Sequence, residues 1–540
     1  MEGARLFAAE AALTGSWPHA RPEAVVCRID GRRGRGPETL TYGELDDLIG
    51  RTALALDRAG VGAGTTTAVM VPPGRELVAL IHALLRLRAV PVLIDPGLGA
   101  GAMRRCLAEA APQAFIGVPL AHLARVLLGW ARDSVRTTIT VGRHTLRLAR
   151  PSPPGSWPAP RGEGDGQAFV AFTSGSTGVP KGVPLRHRHL AGQLELLARL
   201  GVLKPGATVW STFLPFAIAA PVMGCASVVP RLNLRRPARS DPAAMAESIR
   251  AHRVTGLFAA PALLDGLARH CLERGLTLDG VRTVLTAGAP LPHAVLRRAL
   301  RCLPEGAELL SVYGATECLL VSAANAAELT GTAGDTARGA GTFLGAPLPG
   351  NRVRVIAVTD EPVPYWSDDL LVPPGTVGEI TVAGPAVSDP YLGRPYDTAL
   401  ARIDDGGTPV HRMGDLGWMD ERGRLWFAGR KGERVRTAAG DLYTDQVEPI
   451  VNDLPGVRRT ALVGVGPEGR RRPVLCVECE PGVSGRERRA VLARVREHAP
   501  PAVAEVLPHP GFPMDVRHAS KICRPLLARW AARELREAGR

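Results

Sequence analysis

Lysine is nearly missing from this chain. Four of its 66 basic residues are lysines, Lys181, Lys204, Lys431 and Lys521, and the rest are arginines. Where a coding bias replaces lysine wherever arginine will serve, a surviving lysine marks a place that needs a compact, flexible ammonium rather than a planar fork. Lys204 lies in the turn-like Leu203-Lys-Pro-Gly206 and reads as surface. Aromatics are also scarce, at 4%. The net charge of +14 reads as arginine enrichment from the coding bias, since the arginines are scattered and the rings too few for a stacking platform; a nucleic-acid or anionic-membrane partner is the alternative. No uninterrupted apolar run reaches the ~18 residues of a membrane span. The N-terminus lacks the basic-then-apolar pattern of a signal peptide. Nine cysteines, at 27, 106, 225, 271, 302, 318, 476, 479 and 523, are odd in number and mostly isolated. Reduced thiols in a cytoplasmic protein fit that pattern better than a disulfide framework. Cys476-Val-Glu-Cys479 has no second pair nearby and reads as buried strand, not as a zinc or redox site. There is no internal repeat.

What is present is an ordinary globular composition, 45% hydrophobic and 22% charged, over 540 residues. That length predicts at least two domains. Thr41 followed by Glu44 is a capping box that opens a helix. Thr67-Ala-Val-Met-Val-Pro72 and Ala89 to Asp95 read as strands around a helix from Arg75 to Leu87. The alternation resumes at Gly256 to Ala260 and Val281 to Gly288, which implies parallel sheet covered on both faces. The apolar stretch Phe115 to Trp130 carries His122 and Arg125 and reads as a packed helix; contact with lipid or a partner is the alternative. Pro151 to Gly166 reads as a surface linker. From about residue 340 the strands shorten, and Gly378 to Gly384 alternates like a half-buried strand. Composition changes again after Arg430, which puts a boundary at Gly429 to Gly432.

The chemistry-bearing string is Thr173-Ser-Gly-Ser-Thr-Gly-Val-Pro-Lys-Gly182, entered from the apolar Phe169 to Phe172. Its glycines Gly175, Gly178 and Gly182 let backbone N–H groups approach an anion. Thr173, Ser174, Ser176, Thr177 and Lys181 add donors. The lysine is neither preceded by glycine nor followed by Ser or Thr, so this is not a Walker A loop, and no G-x-S-x-G frame fits.

The string resembles the phosphate loop of the adenylate-forming superfamily of acyl-CoA synthetases, luciferases and peptide-synthetase adenylation domains. Further motifs follow in that family's order. Ala287-Gly288-Ala289-Pro290 looks like its adenine-side turn. Val312-Tyr313-Gly314-Ala315-Thr316-Glu317 looks like the segment whose aromatic stacks on adenine, whose Thr meets phosphate and whose Glu holds Mg²⁺. His411 to Leu416 resembles the segment whose Asp, here Asp415, binds both ribose hydroxyls. Gly429-Arg430 looks like the hinge, its arginine also near the ribose, and Lys521 matches the C-terminal catalytic lysine. The resemblance implies an α/β enzyme using ATP and Mg²⁺. Residues 1–428 would form the large N-terminal domain, with parallel sheets and a β subdomain at about 340–428. Residues 429–432 would be the hinge and 433–540 a small mobile α+β lid.

Five segments narrow the likeness: Arg186 to Gln193, Gly378 to Pro385, Leu442 to Pro449, Arg459 to Gly466 and Asp515 to Lys521. They are similar to the β-lactone synthetases of bacterial long-chain olefin biosynthesis, from about Ala24 to the C-terminus. That implies cyclisation of a 2-alkyl-3-hydroxy fatty acid, and assembly with other pathway enzymes. Ser520 stands where thioester-forming members usually have Gly, Gly432 where a hinge Asp or Lys is usual, and Glu433 to Thr444 replaces their thiol-lining loop. A long-chain acyl-CoA or acyl-carrier ligase remains the alternative. A non-catalytic nucleotide-binding partner fits less well, because Lys181, Glu317, Asp415 and Lys521 are all present. The base for the 3-hydroxyl is not legible. His187 and His189 read as surface or supporting histidines, with base or metal ligand as the other possibility. Phe213 to Pro221 and Phe258 to Leu263 are candidate walls of an acyl pocket, or simply core.

Overall fold

The computed structural model of the chain describes residues 22–30, 37–142, 164–173, 179–201, 203–230, 240–514 and 522–538. The expectations for Ser174, Gly175, Ser176, Thr177, Gly178 and Lys521, and for most of the Pro151 to Gly166 linker, lie outside the described residues.

Two large sheets carry the fold. The first has six strands, in the order Thr137–Thr140, Ala114–Gly117, Thr66–Met70, Val90–Leu93, Gln167–Thr173, Lys181–Arg186. Every pairing is parallel except the last, an antiparallel hairpin around the candidate phosphate loop. The helix Tyr42–Arg58 starts with the expected box: Thr41 Oγ1 accepts from Glu44 N, and the Glu44 carboxylate accepts from Thr41 N. The helix Arg75–Arg86 buries Leu77 through Leu85 between this helix and the sheet.

The second sheet has 14 strands. Val25–Ile29, Ala226–Val229, Thr208–Ser211, Gly256–Phe258, Thr283–Ala287 and Glu308–Ala315 run parallel. From Cys318–Asn325 onward the pairing is antiparallel, through Thr342–Pro347, Leu425–Arg430, Thr408–Met419, Gly378–Ala383 and Arg352–Ile356. The strands after residue 340 extend the same sheet by antiparallel pairing, and contrary to expectation they are no shorter than those before, Thr408–Met419 having 12 residues.

Two further expectations are corrected. Gly378–Ala383 is buried at every position rather than on one face. Ile380 and Val382 enter one apolar cluster with Leu344 and Met413. On the other face the charge of Glu379 is neutralised: Arg412 lies 2.6 Å away and Lys431 Nζ 3.0 Å away. Removing one partner of so buried a pair leaves an uncompensated charge and costs about 3–5 kcal/mol. Alternation reports polarity, and an internal ion pair lets a polar face be buried. The second correction is Phe115 to Trp130. Phe115 belongs to the strand Ala114–Gly117, and the helix, Pro119–Leu128, has no buried residue.

After Arg430 come the hairpin Val435–Thr437 and Gly440–Leu442, the helix Thr444–Asn452, and a three-stranded sheet of Val457–Val465, Arg472–Cys479 and Glu505–Pro508, with the helices Gly485–His498 and Arg524–Ala538. Cys476 is fully buried in the central strand, as its apolar surroundings predict. Arg524 binds Glu448 at 2.5 Å and Glu433 at 2.8 Å, tying the last helix to the turn after Arg430.

Asp445 joins this C-terminal part to the large sheet. Thr342 Oγ1 donates to its Oδ1 at 3.2 Å. Burial, then the nearby Glu448 carboxylate, pushes the Asp445 carboxyl up to about 7. The folded chain therefore favours its protonated form. That contribution to stability is complete below the ordinary carboxylate range and is lost as pH rises through about 7. Asp445→Asn is expected to flatten the decline in melting temperature over that window. An unchanged pH profile in thermal denaturation would show that Asp445 does not titrate there.

Candidate active site

The candidate nucleotide site lies where the two sheets meet. In parallel α/β sheets ligands sit beyond the carboxyl ends of strands. Ala287 and Val312 are register partners, so the turn Gly288-Ala289-Pro290 leaves its strand beside Tyr313. Gly288 has φ +94°, and a Cβ there would meet nothing within 4 Å, which leaves an open ledge.

Strands Glu308–Ala315 and Cys318–Asn325 form a tight hairpin, with Ala315 opposite Cys318 and a register shift at Gly314. Thr316 and Glu317 occupy its tip. Tyr313 Oη donates to Asp415 Oδ2 at 2.7 Å. Burial, reinforced by that carboxylate, holds the phenol well above its ordinary range, so it stays a donor. Asp415, 2% exposed, is the register partner of Arg430, whose guanidinium lies 3.0 Å from Oδ1. Asp415, then burial and Tyr313, act on Arg430, and the net effect raises it. One contact shell thus joins the expected stacking aromatic, ribose carboxylate and hinge arginine.

Glu317 is held from the other side. Tyr391 Oη donates to its Oε1 at 2.7 Å, and Ser388 N donates to its backbone oxygen at 2.8 Å. Burial, then Glu317, raises the Tyr391 phenol far above its usual value. The same ring sits 5.0 Å below the Lys181 ammonium, and Lys181 Nζ pairs with Asp397 at 2.7 Å. Burial works to raise the Asp397 carboxyl, but Lys181 and Arg394 together hold it below its ordinary value. Thr173 and Lys181 face each other across the hairpin that carries the phosphate loop. Glu109 accepts from Gly182 N at 3.1 Å, and Arg394 bridges Glu109 and the Pro180 carbonyl. Leu392 N donates to Gly182 O at 2.9 Å.

Residues 388–397 therefore span both sheets, fastening the phosphate-loop hairpin to the Glu317 turn. Tyr391, Asp397, Arg394 and Glu109 were not legible as site residues. The only signal is a lone tyrosine in the Pro/Gly-framed Ser388-Asp-Pro-Tyr-Leu-Gly393, which ordinary loops share. A buried carboxylate, Glu317, linked through Tyr391 to the lysine of the candidate phosphate loop suits Mg²⁺, which takes one or two protein carboxylates and completes its shell with phosphates and water.

Of the histidine pair after the candidate loop, His189 has a structural role. His189 Nδ1 accepts from Arg186 N at 3.0 Å and caps the helix His187–Arg199. Burial lowers His189 to about 4, keeping that acceptor neutral. Neither histidine joins a cluster of three metal-binding side chains among the described residues. The two candidate acyl walls do meet: Phe216 and Phe258 stack at 4.4 Å, and Phe213 lies 5.8 Å from Phe258 with 37% of its surface exposed.

Comparisons with known proteins identify the family and the fold. Residues 16–392 match the AMP-binding enzyme family model. An olefin beta-lactone synthetase of Stenotrophomonas maltophilia is 45% identical, over 95% of this chain and 96% of its own. An olefin beta-lactone synthetase of Xanthomonas campestris is 44% identical, also over 95% of this chain and 96% of its own. Among solved structures, the amide bond synthetase McbA of Marinactinospora thermotolerans superposes with a TM-score of 0.79, 24% identity and coverage of 98% and 99%. ATP-bound MatB of Rhodopseudomonas palustris does so at 0.79 and 21%, covering 97% and 98%. At such identities these two speak for the fold alone. The chain belongs to the AMP-binding, adenylate-forming enzyme family.

Proposed function

We propose that this enzyme is an ATP-dependent β-lactone synthetase acting on a long-chain 2-alkyl-3-hydroxy fatty acid. The observation that carries the reading is the 45% identity to an olefin beta-lactone synthetase over 95% of the chain. In the proposed first step a carboxylate oxygen of the acid attacks the α-phosphorus of ATP and pyrophosphate leaves. In the second the 3-hydroxyl oxygen attacks the acyl carbon, its proton departs, and AMP leaves as the four-membered ring closes. The nucleophile is tethered to its target, so no second acceptor need bind.

The side chains divide the work as follows. Thr173, the loop through Gly178, and Lys181 hold the phosphates. Gly288, Ala289, Pro290 and Tyr313 frame the adenine. Asp415 and Arg430 hold the ribose. Thr316 meets the phosphate from the hairpin tip. Glu317, oriented by Tyr391, would hold Mg²⁺, which supplies charge neutralisation at the phosphates. Lys521 stabilises charge at the α-phosphate, delivered by a lid of residues 433–540 that turns on residues 429–432. Gly429 fits a hinge: its φ is +144°, and a Cβ there would stand 2.5 Å from Thr444 Oγ1. The three phenylalanines at 213, 216 and 258 offer an apolar wall for the acyl chain. Nine free thiols, seven of them buried, suit a reducing cytoplasm.

The test is a product analysis. Enzyme, Mg·ATP and a synthetic 2-alkyl-3-hydroxy fatty acid are mixed without CoA and followed by NMR. β-Lactone with AMP is the expected result. AMP release that needs CoA, with a thioester as product, would make the enzyme an acyl-CoA ligase instead.

A further inference from the structure

The helix Pro119–Leu128 is inside out. Leu120, Leu123, Val126, Leu127 and Leu128 are 70%, 54%, 68%, 73% and 43% exposed. They account for five of the eleven large exposed hydrophobics among the described residues. The polar side chains face the protein instead. His122 Nε2 lies 3.0 Å from the Ile139 carbonyl, and its ring meets Phe115 edge-on at 5.2 Å. The Arg125 guanidinium sits over the same Phe115 ring at 5.7 Å. Ala121 and Ala124 make the apolar contact with the core beneath. A solvent-facing helix normally shows the opposite pattern, with its apolar stripe inward. An apolar patch of this kind marks a contact surface.

Charge indicates what covers it. From residue 119 to residue 142 the chain has three arginines and a single acid, Asp133, and of the arginines Arg125 is turned inward. Arg132 and Arg136, directly after the helix, are exposed. Exposed apolar side chains followed by two exposed arginines, with a single carboxylate between them, complement a surface that is oily beneath and anionic at the rim. We infer that this face docks on an anionic lipid bilayer, the helix lying in the headgroup plane with its leucines among the acyl chains and the arginines on lipid phosphates. Ten residues are far fewer than the ~20 needed to cross the hydrocarbon. The attachment is therefore peripheral and reversible. This inference stands on the helix and its charge and is independent of the reaction proposed above.

The experiment is co-sedimentation of the full-length enzyme with vesicles, of phosphatidylcholine alone or of phosphatidylcholine with phosphatidylglycerol. The enzyme should pellet with the anionic vesicles, less so as salt screens the arginines. The double variant Leu123→Asp/Leu127→Asp should lower the partition coefficient by about tenfold or more. Its ATP-dependent pyrophosphate release with a water-soluble hydroxy acid should stay unchanged. Arg132→Glu/Arg136→Glu gives a second route to the same loss if the leucine variant misfolds. Equal pelleting with both vesicle types, or none, overturns the inference, as does full binding by both variants. A concentration-dependent mass increase without vesicles, abolished by Leu123→Asp/Leu127→Asp, would assign the face to a second copy of the chain instead.

Discussion

Asp415→Ala is expected to weaken ATP binding by roughly ten- to a hundredfold, the worth of charge-assisted hydrogen bonds to two ribose hydroxyls. The carboxylate is 2% exposed and already aimed by two neighbours, Tyr313 at 2.7 Å and Arg430 at 3.0 Å. Losing it also leaves a phenol and a guanidinium without their common acceptor. Titration calorimetry with ATP separates the two effects when paired with Asp415→Asn. That variant keeps the side chain's shape and an acceptor for Tyr313, but gives up the charge that balances Arg430. It should keep most of the thermal stability while losing most of the affinity. Unchanged nucleotide affinity in both variants would show that Asp415 does not hold the ribose.

Lys521→Ala is expected to abolish adenylation, by about a thousandfold or more in pyrophosphate release, because one charged donor at a developing oxyanion carries that order of effect. Folding should be retained by circular dichroism. Lys521→Arg is the sharper test. In a chain with 62 arginines, a position served equally well by arginine would be expected to carry one. The variant should therefore also lose most of its activity, since a planar fork cannot take the place of a compact ammonium between two phosphate oxygens. Near-normal pyrophosphate release by Lys521→Ala would remove the residue from the mechanism.

The lysine scarcity that prompts this argument is matched by two of the other lysines. Lys181 meets Asp397 and the Tyr391 ring, and Lys431 meets the buried Glu379 and the Thr359 carbonyl. Lys204, expected on the surface, is exposed. Local rules were equally legible. The box of Thr41 and Glu44 needs only a spacing of three residues, and the strands at 66–70 and 283–287 need only short runs rich in β-branched residues between turn residues. Motif resemblance marked Tyr313 and Asp415 separately. That one donates to the other across 102 residues of chain depends on sheet order, which no local pattern encodes. Tyr391 was missed because its meaning lies in its partners, Glu317 and Lys181. The orientation of the helix at 119–128 is not legible for a related reason. Periodicity finds an apolar face but does not say which way it points, and His122 and Arg125 found inward partners in Ile139 and Phe115.

The pairing of Asp415 with Arg430 has a thermodynamic consequence. The strand holding Asp415, the proposed ribose carboxylate, is laddered to the strand that runs straight into residues 429–432. If those residues are the pivot of the lid, nucleotide affinity and lid orientation are two readouts of one coupling constant. Whatever factor ATP applies to the lid's equilibrium, the lid's orientation must apply to the affinity for ATP. A substitution in the pivot, far from any phosphate, then changes how tightly the nucleotide is held, and a change of ribose chemistry alters how long the lid stays closed.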